Sequence, residues 1–125
     1  MQKLEFESSW DKTISNKDRQ KIEANFLETS HANNQGILLT PLWQSSNHKG
    51  ELLVTVLIHN FTTHPFSFQN TKLKYIEANV VRFEHSFTLP SLSIQAGSST
   101  PWTFIFPNES LDNKLSFENG YLEII

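Results

Sequence analysis

Five histidines are the side chains of this 125-residue sequence with the clearest capacity for metal chemistry. His59 and His64 bracket a turn-like segment, and His85 lies in the middle of a segment that alternates like a strand. Two of them meeting across strands could hold a metal ion, but a third ligand is needed, and neither an H-x-H nor an H-E-x-x-H spacing occurs. His85 is therefore predicted to occupy a half-buried position on a strand instead of binding a metal. A metal- or small-ligand-binding role for the three histidines stays open as an alternative.

The sequence lacks the residue groupings that hydrolytic or acid–base catalysis needs. Gly97-Ser98-Ser99 is not a G-x-S-x-G elbow, and a strand-like segment follows it rather than a helix. Glu77 and Glu84 have Lys74 and Arg82 as neighbours, which is typical of surface ion pairs. The absence of cysteine excludes disulfides, thiolate catalysis and zinc-ribbon sites. We expect no catalytic residue, no cofactor and no metal site, so the protein is predicted not to be an enzyme.

Aromatic side chains crowd one predicted turn and make it the best candidate for a partner-binding surface. Phe61, Phe66 and Phe68 lie close to His64 and Pro65 in the sequence. A turn is expected at the surface, so three phenylalanines there predict either a well-covered corner or an exposed patch. If the patch is exposed, Phe61, His64, Phe66 and Phe68 are the residues that we expect to contact a protein partner.

Charge and hydropathy exclude two further classes of function. Thirteen acidic residues against ten basic ones give a net charge of -3, which argues against a nucleic-acid binder. The most basic stretch, 12–21, is interleaved with acidic residues, a pattern that predicts a solvent-exposed helix face. No segment has the apolar core of a signal peptide, and the longest apolar run, Leu52–Ile58, is too short to cross a bilayer. A cytoplasmic location without membrane insertion is therefore expected.

One short amphipathic helix is predicted near the start, over about residues 15–28. Ser15 is suited to the N-cap position, and Asp18 lies three residues later near the positive end of the helix dipole. Ile22 and Phe26 share a helix face at i, i+4 spacing. The polar, turn-rich segment that begins at residue 29 ends the pattern.

Strand patterns occupy the chain from about residue 37 to residue 125. Ile37–Ser45 contains Pro41, which favours an edge position or a bulge, and 46–50 is a hairpin loop. Glu51–Asn60 is apolar on nearly both faces and is expected at the centre of a sandwich. Trp102, Phe104 and Phe106 alternate and are predicted to be core. The other predicted strands are Lys72–Ile76, Val80–Leu89, Thr100–Phe106, Leu115–Glu118 and Tyr121–Ile125, the last two flanking an Asn119-Gly120 hairpin turn.

These elements predict a mainly β fold in a single domain, 1–125, that consists of an antiparallel, immunoglobulin-like β-sandwich preceded by one short N-terminal helix.

Three segments together resemble the SLAP domain of the accessory Sec system S-layer assembly proteins of Bacillus and relatives. The resemblance lies in the helical opening from Leu4 to Phe26, in the central hairpin (LVTVLIHN at 53–60, then PFSFQN at 65–70), and most closely in IQAGSSTPWTFIFP at 94–107. It covers residues 4 to about 110, in a single copy.

The resemblance implies an accessory role in the secretion or assembly of S-layer or other envelope proteins, beside the second SecA motor. It brings no catalytic residue and no cofactor, and the implied partners are the Sec machinery or exported envelope proteins. Two alternatives stay open: a small-ligand or metal-binding sandwich, and a structural subunit of a homo-oligomer that pairs through an edge strand such as Ile37–Ser45.

Overall fold

The computed structural model describes residues 2–31, 35–107 and 119–125. The helices are α1, Ser8–Thr13, and α2, Asn16–Thr29. The strands are β1, Lys3–Leu4; β2, Ile37–Ser46; β3, Leu52–Asn60; β4, Phe66–Ser67; β5, Thr71–Glu77; β6, Val80–Phe87; β7, Ser93–Ile94; β8, Ser98–Phe106; and β9, Tyr121–Ile124.

The N-terminal region is a pair of helices, so the prediction of a single helix is wrong in number although right in position. The predicted helix corresponds to α2, whose N-cap Ser15 accepts a hydrogen bond from the backbone N–H of Asp18, as expected. Helix α1 was missed because six residues are too few to show a helical period. Its N-cap is Glu7, whose carboxylate accepts hydrogen bonds from the backbone N–H groups of Ser9 and Trp10.

The strands form a four-stranded sheet in the order β1-β8-β3-β2, a three-stranded sheet in the order β6-β5-β9, and a small pair, β4-β7. Strand β1 runs parallel to β8, with Lys3 opposite Ser98, so the prediction of a wholly antiparallel fold is wrong at this strand. The other pairings are antiparallel. Strands β2 and β9 approach each other at the edges of the two larger sheets, so the sheets curl together on that side.

The two strands predicted most specifically lie where the sequence places them. Strand β2 is at the edge of its sheet, and its register with β3 shifts between Pro41 and Trp43, which confirms the predicted bulge. Strand β3 is paired on both sides and is almost wholly buried. In contrast, the predicted strand Leu115–Glu118 lies outside the described residues, and Tyr121–Ile124 pairs with β5.

The core lies between the two larger sheets and is dominated by aromatic rings. Phe104 and Phe106 of β8 are buried, and Trp102 packs against the same cluster, which confirms that this alternating trio belongs to the core. The Phe87 ring of β6 meets the Phe104 and Phe106 rings edge-on, with centroids 5.1 and 5.2 Å apart. The fold is therefore mainly β, as predicted, while its immunoglobulin-like form stays a prediction.

A buried tyrosine–carboxylate pair stands beside a glycine that has no room for a side chain. The Tyr75 hydroxyl donates a hydrogen bond to Glu77, and burial together with this carboxylate raises the pKa of Tyr75. Glu77 is only 3% exposed, so its predicted position at the surface is wrong; Glu84 does form a surface ion pair, with Lys72 at 3.1 Å. A Cβ atom on Gly120 would lie 2.0 Å from the Tyr75 hydroxyl oxygen.

We therefore expect Gly120→Ala to lower the free energy of unfolding by about 3 kcal/mol, since the Tyr75 ring is buried and has little space to move. Urea unfolding measures this change. Gly36→Ala is the control: it has open space around the new Cβ and should cost only the strain of its left-handed φ of +74°, about 1 kcal/mol. Equal losses for the two variants would contradict the steric argument.

The turn that joins β5 to β6 is strained at an alanine. Ala78 and Asn79 have φ angles of 51° and 64°, a left-handed pair that hairpins normally form with Asn or Gly. We expect Ala78→Gly to raise the free energy of unfolding by about 0.5–1 kcal/mol, because glycine removes this strain.

Ala96→Gly is the matched control for that measurement. Ala96 is also an exposed turn residue, but its φ lies outside the left-handed region, so the added chain freedom should lower stability slightly. Thermal unfolding of both variants should give shifts of opposite sign, and a lower melting temperature for Ala78→Gly would refute the strain argument.

Candidate functional site

The turn between β3 and β4 is held rigidly by a buried asparagine. Asn60 donates hydrogen bonds from Nδ2 to the carbonyl oxygens of His64 and Ile94, at 2.8 and 2.9 Å. Its Oδ1 atom accepts hydrogen bonds from the backbone N–H and the hydroxyl of Thr62. Because one side chain satisfies four polar groups, the turn is preorganised and His64 projects from it into solvent.

The four residues predicted to form a partner-binding surface divide between core and surface. Phe68 is fully buried and packs edge-on against Phe104 at 5.2 Å, so its assignment to a surface is wrong. Phe66 is half-buried and meets Phe68 at 5.0 Å, and Phe61 is half-buried. Phe61, His64 and Phe66, which we call the corner, are thus the members of the predicted surface that reach solvent.

Phe68 is buried for a reason that the sequence pattern does not reveal. The chain after β4 continues inward, and the carbonyl of Phe68 accepts a hydrogen bond from the N–H of Leu89, which ties this segment to the end of β6. The ring is thereby placed between the sheets instead of on the turn.

His59 is the centre of a buried hydrogen-bond network that joins three parts of the chain. Its Nδ1 atom lies 2.6 Å from the Ser99 hydroxyl of β8, and its Nε2 atom lies 2.7 Å from the Thr29 hydroxyl of α2. The Thr29 hydroxyl donates to the carbonyl of Asn25, so it accepts from the imidazole. This pattern assigns the ring proton to Nε2 and makes Nδ1 the acceptor for Ser99.

The contact between His59 and Ser99 has the composition of a nucleophile and its base, but not the accessibility. Both residues are fully buried, so a substrate cannot reach the serine hydroxyl. Burial lowers the pKa of His59 from 6.5 to about 4, which keeps the imidazole neutral at neutral pH. The arrangement is suited to holding α2 against the sheet.

The three histidines considered as metal ligands lie on separate elements. His59 uses both ring nitrogens within its own network, His64 is on the β3–β4 turn, and His85 is half-buried on β6 with its ring edge-on to Phe87 at 5.0 Å. Across residues 2–31, 35–107 and 119–125, no group of three or more His, Cys, Asp or Glu side chains is arranged to hold a metal ion.

A polar seam continues from His59 between α2 and the sheet. The Thr40 hydroxyl of β2 donates to Asn25 Oδ1 at 2.7 Å, and the hydroxyls of Thr55 and Thr103 lie 2.8 Å apart on the paired strands β3 and β8. Sequence reasoning missed this seam because its members lie far apart in the chain and no motif links them. The one available signal was a histidine at the end of an otherwise apolar strand.

Two grooves open at the strand edges. The larger, about 760 Å³, lies between β2 and β9 and is lined by 38–44 and 119–121. The smaller, about 460 Å³, lies between β6 and β8 and is lined by 85–89 and 102–105. Each brings together strands that are distant in sequence, so neither could be predicted from a local pattern.

Comparison with known protein families gives a match. The family described as the SLAP domain matches residues 4–121, nearly the whole chain. No curated protein and no solved structure matches this chain. Separately, none of the described helices has the length and apolar character needed to span a membrane.

The network around His59 predicts unequal effects at two adjacent serines. Ser99→Ala removes the donor to Nδ1 and leaves a buried acceptor without its hydrogen bond, so we expect a loss of about 1–3 kcal/mol in the free energy of unfolding. Ser98→Ala is the control, because Ser98 is equally buried but points to the opposite face of β8. It should cost less than about 1 kcal/mol by urea unfolding; a loss as large as that of Ser99→Ala would count against the network.

Proposed function

We propose that this chain, which belongs to the SLAP domain family, is a non-catalytic protein-binding module that assists the secretion or assembly of S-layer or other envelope proteins. The family match over residues 4–121 carries the proposal, since the SLAP domain family suggests an S-layer-associated module. Within this proposal the fold is an immunoglobulin-like sandwich, the module works in the cytoplasm, and its partners are Sec components or exported envelope proteins.

The corner supports a binding role because its shape is fixed before a partner arrives. Asn60 ties the turn to the carbonyls of His64 and Ile94, so little conformational entropy is lost when a partner contacts it. The rings of Phe61 and Phe66 flank His64 and offer partly exposed aromatic surface, which is enriched in protein interfaces. A non-catalytic role agrees with the burial of His59 and Ser99, the one serine–histidine pair among the described hydrogen bonds.

The alternative of a homo-oligomer formed through β2 gains little from the observed geometry. Strand β2 does lie at a sheet edge, but Pro41 has no N–H to donate and the bulge beside it disturbs the ladder. Both features are devices by which edge strands avoid pairing with a second chain.

Co-purification of the tagged protein from native cells tests the proposed function. We expect Sec components or exported envelope proteins to be enriched, and His64→Glu to reduce that enrichment at least about tenfold, equivalent to about 1.4 kcal/mol of binding energy. Recovery of neither class of protein with the unaltered chain would overturn the proposal.

His48→Glu is the matched control, because His48 is also an exposed histidine on a turn, between β2 and β3. It introduces the same charge away from the corner and should leave the enrichment unchanged. Equal losses for the two variants would show that the added charge, rather than the corner, governs binding.

A further inference from the structure

Helix α2 buries little apolar surface against the sheet and forms hydrogen bonds to it. Of its residues, all of which the structure describes, Ile22 alone is buried, and Leu27 is 74% exposed. The hydrogen bonds of α2 to the sheet include one from His59 Nε2 to the Thr29 hydroxyl and one from the Thr40 hydroxyl to Asn25. A helix that buries so little apolar surface depends strongly on such bonds for its position.

The imidazole of His59 lies in a dry and uncharged environment. The rings of Phe26 and Phe61 stack on it, with centroids 6.4 and 5.3 Å away. Its hydrogen-bond partners, Thr29 and Ser99, are neutral hydroxyls. A proton added to this ring would therefore bring a charge into a site that supplies no compensating charge.

The charged and titratable groups on the neighbouring elements do not supply a compensating charge to the His59 ring. Strands β2 and β8 carry no charged residue in their sequences. Thr29 has Glu28 before it and His31 after it, and both are exposed. Beside Ser99, the paired β1 segment carries Lys3 and Glu5, which are also exposed. On the turn, the titratable group is His64, which is also exposed.

We infer that His59 is an acid-sensitive latch: a fall in pH releases α2 from the sheet while the β core stays folded. In the closed state the imidazole stays neutral, because a positive charge in this buried site would have no compensating charge. In the open state water reaches the ring, which then binds a proton freely. Acid therefore stabilises the open state alone, and this inference does not depend on what the protein binds.

The sign and range of the effect follow from the two pKa values. The pKa of His59 is about 4 in the closed state and returns to 6.5 when the ring is solvated. Above about pH 6.5 both states are neutral and the latch holds at full strength; as the pH falls toward 4, the open state gains the proton first. The opening equilibrium constant rises about 30-fold by about pH 5, and at most about 300-fold below pH 4.

Amide hydrogen exchange of the intact chain, corrected for the intrinsic pH dependence of exchange, tests the latch. Between about pH 7.5 and pH 5 we expect the protection of α2 amides to fall about 30-fold. Amides of the paired strands β3 and β8, such as those of Val56 and Phe104, should keep their protection. A parallel loss in α2 and in these strands would mean global unfolding and would overturn the local latch.

Two further measurements keep the inference testable if a variant folds poorly. The His59 ring, followed by NMR in the unaltered protein, should titrate near pH 4; titration near 6.5 in the folded state would refute the latch. His59→Gln should abolish the pH dependence of α2 protection, because glutamine does not titrate, whereas the control His85→Gln should preserve it. Persistence of the pH dependence in His59→Gln would overturn the inference.

Discussion

Strand β3 is the constraint on which the rest of the structure depends, because it is paired along both edges and covered on both faces. Its core-facing residues, Leu52, Val54, Val56 and Ile58, join the aromatic cluster between the sheets. Its other face carries Thr55, Leu57 and His59, and His59 contacts α2. A strand in this position can hold polar side chains only if each one finds a hydrogen-bond partner. The polar seam under α2 is thus a consequence of how completely β3 is enclosed.

Much of the fold could be predicted because several segments carry strong local signals. The two-sided apolar pattern of Leu52–Asn60, the capping serine at Ser15 and the proline in β2 each imply one structure through local chemistry. Helix α1 and strand β1 could not be predicted, since six and two residues are too few to establish a period. The parallel direction of β1 depends on β8, at the other end of the chain, and has no local signal.

The site was less predictable than the fold, because its geometry depends on which distant residues meet. Glu77 was expected at the surface, but its carboxylate is buried, where the hydroxyl of Tyr75 supplies it with a hydrogen bond. His59 contacts Thr29 and Ser99, which lie 30 and 40 residues away. Similarly, Phe68 belongs to the core because the chain turns inward after β4. The presence of three phenylalanines around one turn does not reveal which of the rings are buried and which reach the surface.

The parallel pairing of β1 has a consequence for the order in which the protein is made and folded. Gln2 donates hydrogen bonds to groups at Ser98 and Ser99, a separation of 96 residues for the first of these. During synthesis β1 leaves the ribosome well before β8, so it has no partner strand until β8 has followed. Closing so long a loop is entropically costly and slow. Residues of β1 are therefore translated long before their partner strand and are among the last to find their place, so they stay accessible to chaperones and proteases throughout that interval.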